Sequence, residues 1–367
     1  MRYGSVCSGI EAATMAWHSL GWEPAFFSEI EAFPRAVLAH HYPDVPVHGD
    51  FTTIKRQQYG SIRLLVGGTP CQSFSVAGLR KGLDDDRGNL ALEYIRLAQR
   101  EQPQWLVWEN VPGVLSSNGG RDFGAFLGAL AEIGYGFAYR VLDAQFFGVA
   151  QRRRRVFVVG YLGDWRRAAA VLFERESLSG NPAPSREARQ DTAADVAQGT
   201  EVYECHAQDS RIKALGETCS TVTAKYGTGG GNVPIVTARM RGFGDYKCDG
   251  TSSTVKARDF KDATDLVAYG FQSKANACDA AASGKNVSPT LKASSPMAVA
   301  SNLNVRRLTP AECERLQGFP DRFTEIPYRN KEANKCPDGP RYKALGNSMA
   351  VPVMRWIGER IAMVDKI

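Results

Sequence analysis

With 367 residues, 43% hydrophobic and 23% charged, the chain can bury a core of one large or two unequal domains, and its net charge of +6 admits a nucleic-acid partner without demanding one. No run approaches the roughly 18 to 20 apolar residues of a membrane span, and MRYGSVCSGI enters a strand pattern without a signal peptide's basic and apolar regions, so a cytoplasmic protein with no membrane partner is expected. Eight cysteines without a C-x-x-C pair argue against a disulfide framework and a zinc site, leaving a reduced set and no metal.

Along residues 1–161, short apolar runs predict strands at Tyr3–Val6, Ala25–Ser28, Leu64–Val66, Trp105–Trp108, Phe137–Leu142 and Val156–Tyr161. Helix-period positions fill Ile10–Leu20, Phe33–His41, Leu90–Arg100 and Phe123–Ile133 between them. The alternation predicts an α/β domain with a doubly wound parallel sheet. After Asp164 small, polar and charged residues dominate up to about Ser301, and a regular α/β layer is not expected there. Three segments in this stretch resemble one another: Ser220–Ala224, Ser253–Ala257 and Pro289–Ala293 share Thr221, Thr254 and Thr290. They read as a degenerate repeat of short strands and loops within a separate domain over 162–303. The Gly227–Asn232 tract lacks the lysine of a phosphate-binding loop and reads as a flexible loop. From 304 structure returns: Thr309-Pro310, with Glu312 in the first turn, starts a helix, and a last helix runs from near Met349 to about Met363. This C-terminal segment is expected to complete the first domain.

The strongest chemical signal follows the strand Leu64–Val66. Gly67-Gly-Thr-Pro-Cys-Gln-Ser-Phe-Ser75 makes a tight loop at the carboxyl edge of the sheet, where open α/β sheets place ligands. Cys71 there is either a nucleophile or a small core residue, and the flanking Pro70, Gln72 and Ser73 favour the first reading. Further along come Trp108-Glu109-Asn110-Val111, Gln151-Arg-Arg-Arg-Arg155, the run Arg307–Pro320 and Leu345-Gly-Asn-Ser-Met349. In this order and spacing the five segments resemble the motifs of the cytosine-5 DNA methyltransferases, over 1–161 and 304–367. The stretch between resembles only the position of that family's variable target-recognition domain.

The resemblance implies a Rossmann-like S-adenosylmethionine-dependent methyltransferase domain with a small, largely β insertion. It also implies methylation at carbon 5 of a flipped-out cytosine in double-stranded DNA, held between the two parts, by a protein expected to act as a monomer. Cys71 would attack carbon 6, since a thiolate both adds and leaves well. Glu109 would protonate ring nitrogen 3, and Arg155, with Arg153 in support, would hold the carbonyl oxygen. For the donor, Ser5–Glu11 takes the place of the family's Phe-x-Gly-x-Gly-Gly motif but keeps only Gly9, with Cys7 at the position of the Phe. Ser8, Gly9 and Ile10 are the candidate loop contacts. Glu29 ends the strand Ala25–Ser28, as ribose-binding acids do. Asp50 is matched to the adenine amine, Leu90 to a packing contact, and Asn347 and Ser348 to the tenth motif. The segment Ser75–Arg87 is the candidate lid. A thiol hydrolase is disfavoured because the five histidines fall in no companion motif. A tRNA methyltransferase and an inactive DNA-binding module stay open as alternatives.

Overall fold

The computed structural model describes residues 1–70, 90–173 and 308–367 in full, and the backbone alone of six short strands between 202 and 307. Cys71, the candidate lid and the three repeat threonines lie outside the described residues.

The chain enters through β1 (Arg2–Val6), α1 (Ala12–Trp17), β2 (Glu23–Ser28), α2 (Ala32–His41) and the two-residue β3 (Val47–His48), which has no counterpart in the expectations. It continues through β4 (Leu64–Gly67), α3 (Leu90–Glu101), β5 (Trp105–Asn110), α4 (Arg121–Glu132), β6 (Tyr135–Asp143) and β7 (Arg154–Leu162). All six expected strands and four expected helices are present within a few residues.

The seven strands form one sheet, ordered β3-β2-β1-β4-β5-β7-β6. It is mixed rather than parallel: β7 pairs antiparallel with both β5 and β6, while the other pairings are parallel. The correction has a simple cause. Only residues 144–153 separate β6 from β7, too few for a parallel crossover, so the chain turns back as a hairpin. That turn is closed by the Ala144 amide on the Arg153 carbonyl (3.0 Å) and the Arg153 amide on Asp143 Oδ1 (3.0 Å).

Alternate strand residues feed opposite cores. Tyr3, Leu64, Val66, Trp105, Val107, Phe157 and Val159 pack on one face with α1 and the C-terminal helices, whereas Val6, Leu65, Leu106, Trp108, Val156 and Val158 pack on the other with α3 and α4. Beyond β7 a further helix, α5 (Trp165–Leu172), caps this domain. Its Ala168, Val171 and Leu172 are fully buried, and Arg360 donates to the carbonyls of Ala170, Val171 and Phe173. The α/β core therefore extends past Asp164, where composition alone indicates a change.

Between 202 and 247 the described backbone comprises β8 (Val202–Cys205), β9 (Ile212–Gly216), β10 (Ile235–Thr237), β11 (Arg239–Gly242) and β12 (Asp245–Lys247). With β13 (Val305–Arg307) they make a four-stranded antiparallel sheet, β13-β10-β8-β9, and a β11–β12 ribbon. α6 (Pro310–Gln317) begins as expected: the Thr309 hydroxyl accepts the Glu312 amide while Glu312 reaches back to the Thr309 amide. α7 (Asp338–Asn347), which no expectation covered, precedes the last helix, α8 (Val351–Val364). α8 returns to α1, where the Trp17 indole donates to the Met354 carbonyl at 2.7 Å.

Candidate active site

The parallel strands β1, β2 and β4 end level with one another, and β5 runs two residues further. Val6 is level with Ser28 and with Gly67, and Gly67 with Trp108, so the residues just beyond each strand gather at one edge. Strand order reverses between β1's neighbours β2 and β4, the place where such sheets open a crevice. A cavity of about 480 Å³ lies there.

Of the residues expected to hold the donor, Gly9, Glu29, Asp50, Leu90 and Asn347 line it; of those expected to act on the base, Glu109, Arg153 and Arg155 line it too. Thr69 and Pro70, the residues leading into Cys71, lie between. Ser8 and Ser348 border a much smaller void next to the cavity rather than the cavity itself. Ile10 lines neither the cavity nor the small void. It is fully buried in the α1-side core, since it follows the glycine that turns the loop inward, and its side chain is not available to a ligand.

On the donor side Glu29 is nearly buried and acts as a hub: Oε2 accepts the Gly9 amide (2.8 Å), and Oε1 the amides of Ile30 and Glu31 (both 2.8 Å). Asp50 Oδ1 accepts the Thr52 amide at 2.9 Å. Sequence reasoning missed Ile30, an apolar side chain 73% exposed on the cavity wall, directly after Glu29. The available signal was that juxtaposition, an apolar residue where a strand has already ended. A methyl donor carrying a sulfonium, an ammonium and an adenosine suits this wall: Glu29 and Asp50 offer carboxylates, Ile30 an apolar surface, and a Cβ at Gly9 would meet nothing within 4 Å.

On the base side, period 2 decides which side chains meet. Glu109 pairs with Phe157 across β5 and β7, so Glu109 points to the same face as Arg153 and Arg155. Arg155 Nε stands 3.0 Å from Glu109 Oε1. Arg153, 3% exposed, donates to the carbonyls of Gly346 (3.2 Å) and Ser348 (2.7 Å), joining this strand to the C-terminal segment. Burial pushes the Glu109 carboxyl above the ordinary glutamate range, and Arg155 and then Arg153 pull it partly back. A Cβ at Gly68 would stand 3.0 Å from Glu109 Oε2, so a larger residue there would press the carboxyl aside by a few tenths of an ångström.

The loop toward Cys71 is anchored from β5. Trp108 Nε1 donates to Thr69 Oγ1 (2.9 Å), and Asn110 Nδ2 to the Thr69 carbonyl (3.1 Å), a positioning role for Asn110 that the motif alone did not disclose. Cys7, on the donor wall, is no competing nucleophile. Burial, with Glu29 and Asp50 nearby, pushes its thiol up to about 12. Among the described residues no group of three or more His, Cys, Asp or Glu side chains is placed to share a metal ion, and no helix is long and apolar enough to cross a membrane.

Residues 1–363 match the family model described as C-5 cytosine-specific DNA methylase. A DNA N-6-adenine-methyltransferase of Escherichia phage P1 is 42% identical over 98% of this chain, which spans 61% of that relative's length. Type II methyltransferase M1.ScrFI of Lactococcus lactis subsp. cremoris is 28% identical over 97% of this chain and 77% of its own. Among solved structures, S. pombe Dnmt2 methyltransferase superposes with a TM-score of 0.57 at 14% identity, covering 100% of this chain and 98% of its own, a likeness of fold.

Proposed function

The chain belongs to the C-5 cytosine-specific DNA methylase family, and from that premise we propose that it methylates carbon 5 of a flipped-out cytosine in duplex DNA through a covalent adduct with Cys71. The observation that carries the reading is the buried Glu109–Arg155 pair at 3.0 Å, which lines the same cavity as Thr69 and Pro70, the residues that lead into Cys71. When bound, S-adenosylmethionine supplies the methyl group; Glu29, Asp50, Ile30 and the Gly9 backbone would hold it.

The chain's own residues do the rest. The Cys71 thiolate adds to carbon 6 while Glu109 delivers its proton to ring nitrogen 3, which turns carbon 5 into a nucleophile. Arg155 holds the base's carbonyl oxygen and offsets charge developing there. After methylation, water takes the carbon 5 proton as the carbon 6–sulfur bond breaks and frees the Cys71 thiolate, and nitrogen 3 returns its proton to Glu109. A cytosine stacked in a duplex is out of reach of such a site, so the base must leave the helix, at a cost of a few kcal/mol. In this reading 1–161 and 304–367 carry chemistry and donor, and 162–303 reads the flanking sequence.

A second reading, methylation of adenine N6, is raised by the name of the phage P1 relative. An exocyclic amine needs neither a nucleophile at carbon 6 nor an acid at nitrogen 3, so Cys71 together with Glu109 favours cytosine. The test is bisulfite sequencing of DNA from cells expressing the full chain, with nucleoside analysis of DNA and tRNA alongside. Methylated cytosines in one recurrent sequence context are expected, absent with Cys71→Ser although that variant still binds DNA. Methyl groups found only on adenine N6, or only in tRNA, would end the proposal, as would a Cys71→Ser variant methylating at the normal rate.

A further inference from the structure

Three residues of the donor loop take left-handed backbone in alternation: Cys7 (φ 49°), Gly9 (φ 56°) and Glu11 (φ 64°). Glycine adopts that region freely, whereas a glutamate does so only when its surroundings compensate. Glu11 is 1% exposed. Its Oε2 accepts the Thr14 amide (3.0 Å) and the Thr14 hydroxyl (2.6 Å), its Oε1 accepts the Ser5 hydroxyl, and Thr14 Oγ1 meets the Tyr3 hydroxyl at 2.6 Å. Among the described residues no cation pairs with it. A six-residue helix needs no such construction for its cap, which a short side chain on extended backbone supplies. What the longer carboxylate achieves is a cross-link from β1 to α1 beneath the loop, while Glu29 grips the Gly9 amide from the β2 side.

We infer that Glu11 is a positioning residue for the methyl donor: its buried carboxylate holds the backbone of residues 7–11 in the shape that receives S-adenosylmethionine, an assignment resting on the reading given above. Glu11 lines the small void beside Gly9 and not the main cavity, so it acts through the loop and not by touching the donor.

The experiment measures S-adenosylmethionine binding by calorimetry, and single-turnover methyl transfer at saturating donor, on the full chain. For Glu11→Gln the donor Kd rises about tenfold, the order expected for a lost hydrogen-bonded anchor, with the saturating rate within about threefold of the parent. Glu11→Gly, free to adopt the same φ, weakens binding at least as much, because the carboxylate and not the backbone freedom is what the loop needs. Normal donor affinity in either variant overturns the inference, as does a saturating rate that falls as far as the affinity. Should the Glu11 variants fail to fold, Ser5→Ala removes one tie and leaves the carboxylate; a Kd raised about threefold supports the assignment and an unchanged Kd overturns it. A parent chain that binds no donor defeats the functional reading and Glu11's role with it, whereas donor binding indifferent to Glu11 removes that role alone.

Discussion

Glu109 is a carboxyl taken out of water beside two guanidinium groups, and burial outweighs both, leaving its pKa raised. An acid so tuned still holds a proton where a surface glutamate has lost it, as the proposed proton delivery to nitrogen 3 would require. Replacing it by glutamine keeps a hydrogen-bonding group but removes the proton donor. Single-turnover methylation by Glu109→Gln should fall by roughly 10²- to 10⁴-fold with donor affinity retained, and an unchanged rate would remove Glu109 from the chemistry. The same shift has a stability consequence. The folded state binds this proton more tightly than the unfolded state, so the parent loses stability as pH rises above the ordinary glutamate range. Melting temperatures of Glu109→Gln and the parent should therefore diverge in the variant's favour as pH rises from about 4.3, the value of a free glutamate. The residue types of this site were legible beforehand; that burial dominates Glu109's neighbours was not, because it depends on what covers the carboxyl.

Four consecutive arginines are chemically alike, and strand geometry separates them. On β7 and the residue before it, Arg153 and Arg155 point to the face of Glu109, whereas Arg154 is exposed and belongs to the opposite parity. Arg155→Ala should cost roughly 10²-fold or more in the single-turnover rate at saturating DNA, the scale of losing one charge-stabilising donor. Arg154→Ala should change it by less than about threefold. Equal losses in both would mean that the β5–β7 register does not select the working arginine. The motif had already singled out Arg155, but the reversed direction of β7, which sets its register against β5, follows from the short β6–β7 connection. That connection was visible in the chain, and the expectation of a parallel sheet passed over it.

At the scale of the whole molecule, the last sixty residues close the site they stand far from in sequence. Gly346 and Ser348 receive Arg153, Asn347 lines the cavity, and α8 lies on α1. A tight point of that contact is Gly358, where a Cβ would overlap the indole of Trp17. Because Trp17 is fully buried and its Nε1 is held by Met354, the ring has little room to yield. Gly358→Ala should lower stability by about 1 to 3 kcal/mol in urea denaturation, with an unchanged midpoint arguing against this packing.

The positions of the six core strands and of the four helices between them, the order of the motifs and the identity of the chemical groups were determined by the sequence alone, since each depends on neighbours a few residues away; β3 and α7 were not. Only the tertiary structure decided that Ile10 is core and Ile30 is wall, that Asn110 anchors the Thr69 carbonyl, and that Arg153 reaches the C-terminal segment. Such choices depend on which strands become neighbours and in what register, and on contacts between residues nearly two hundred positions apart. Local pattern contains no record of them.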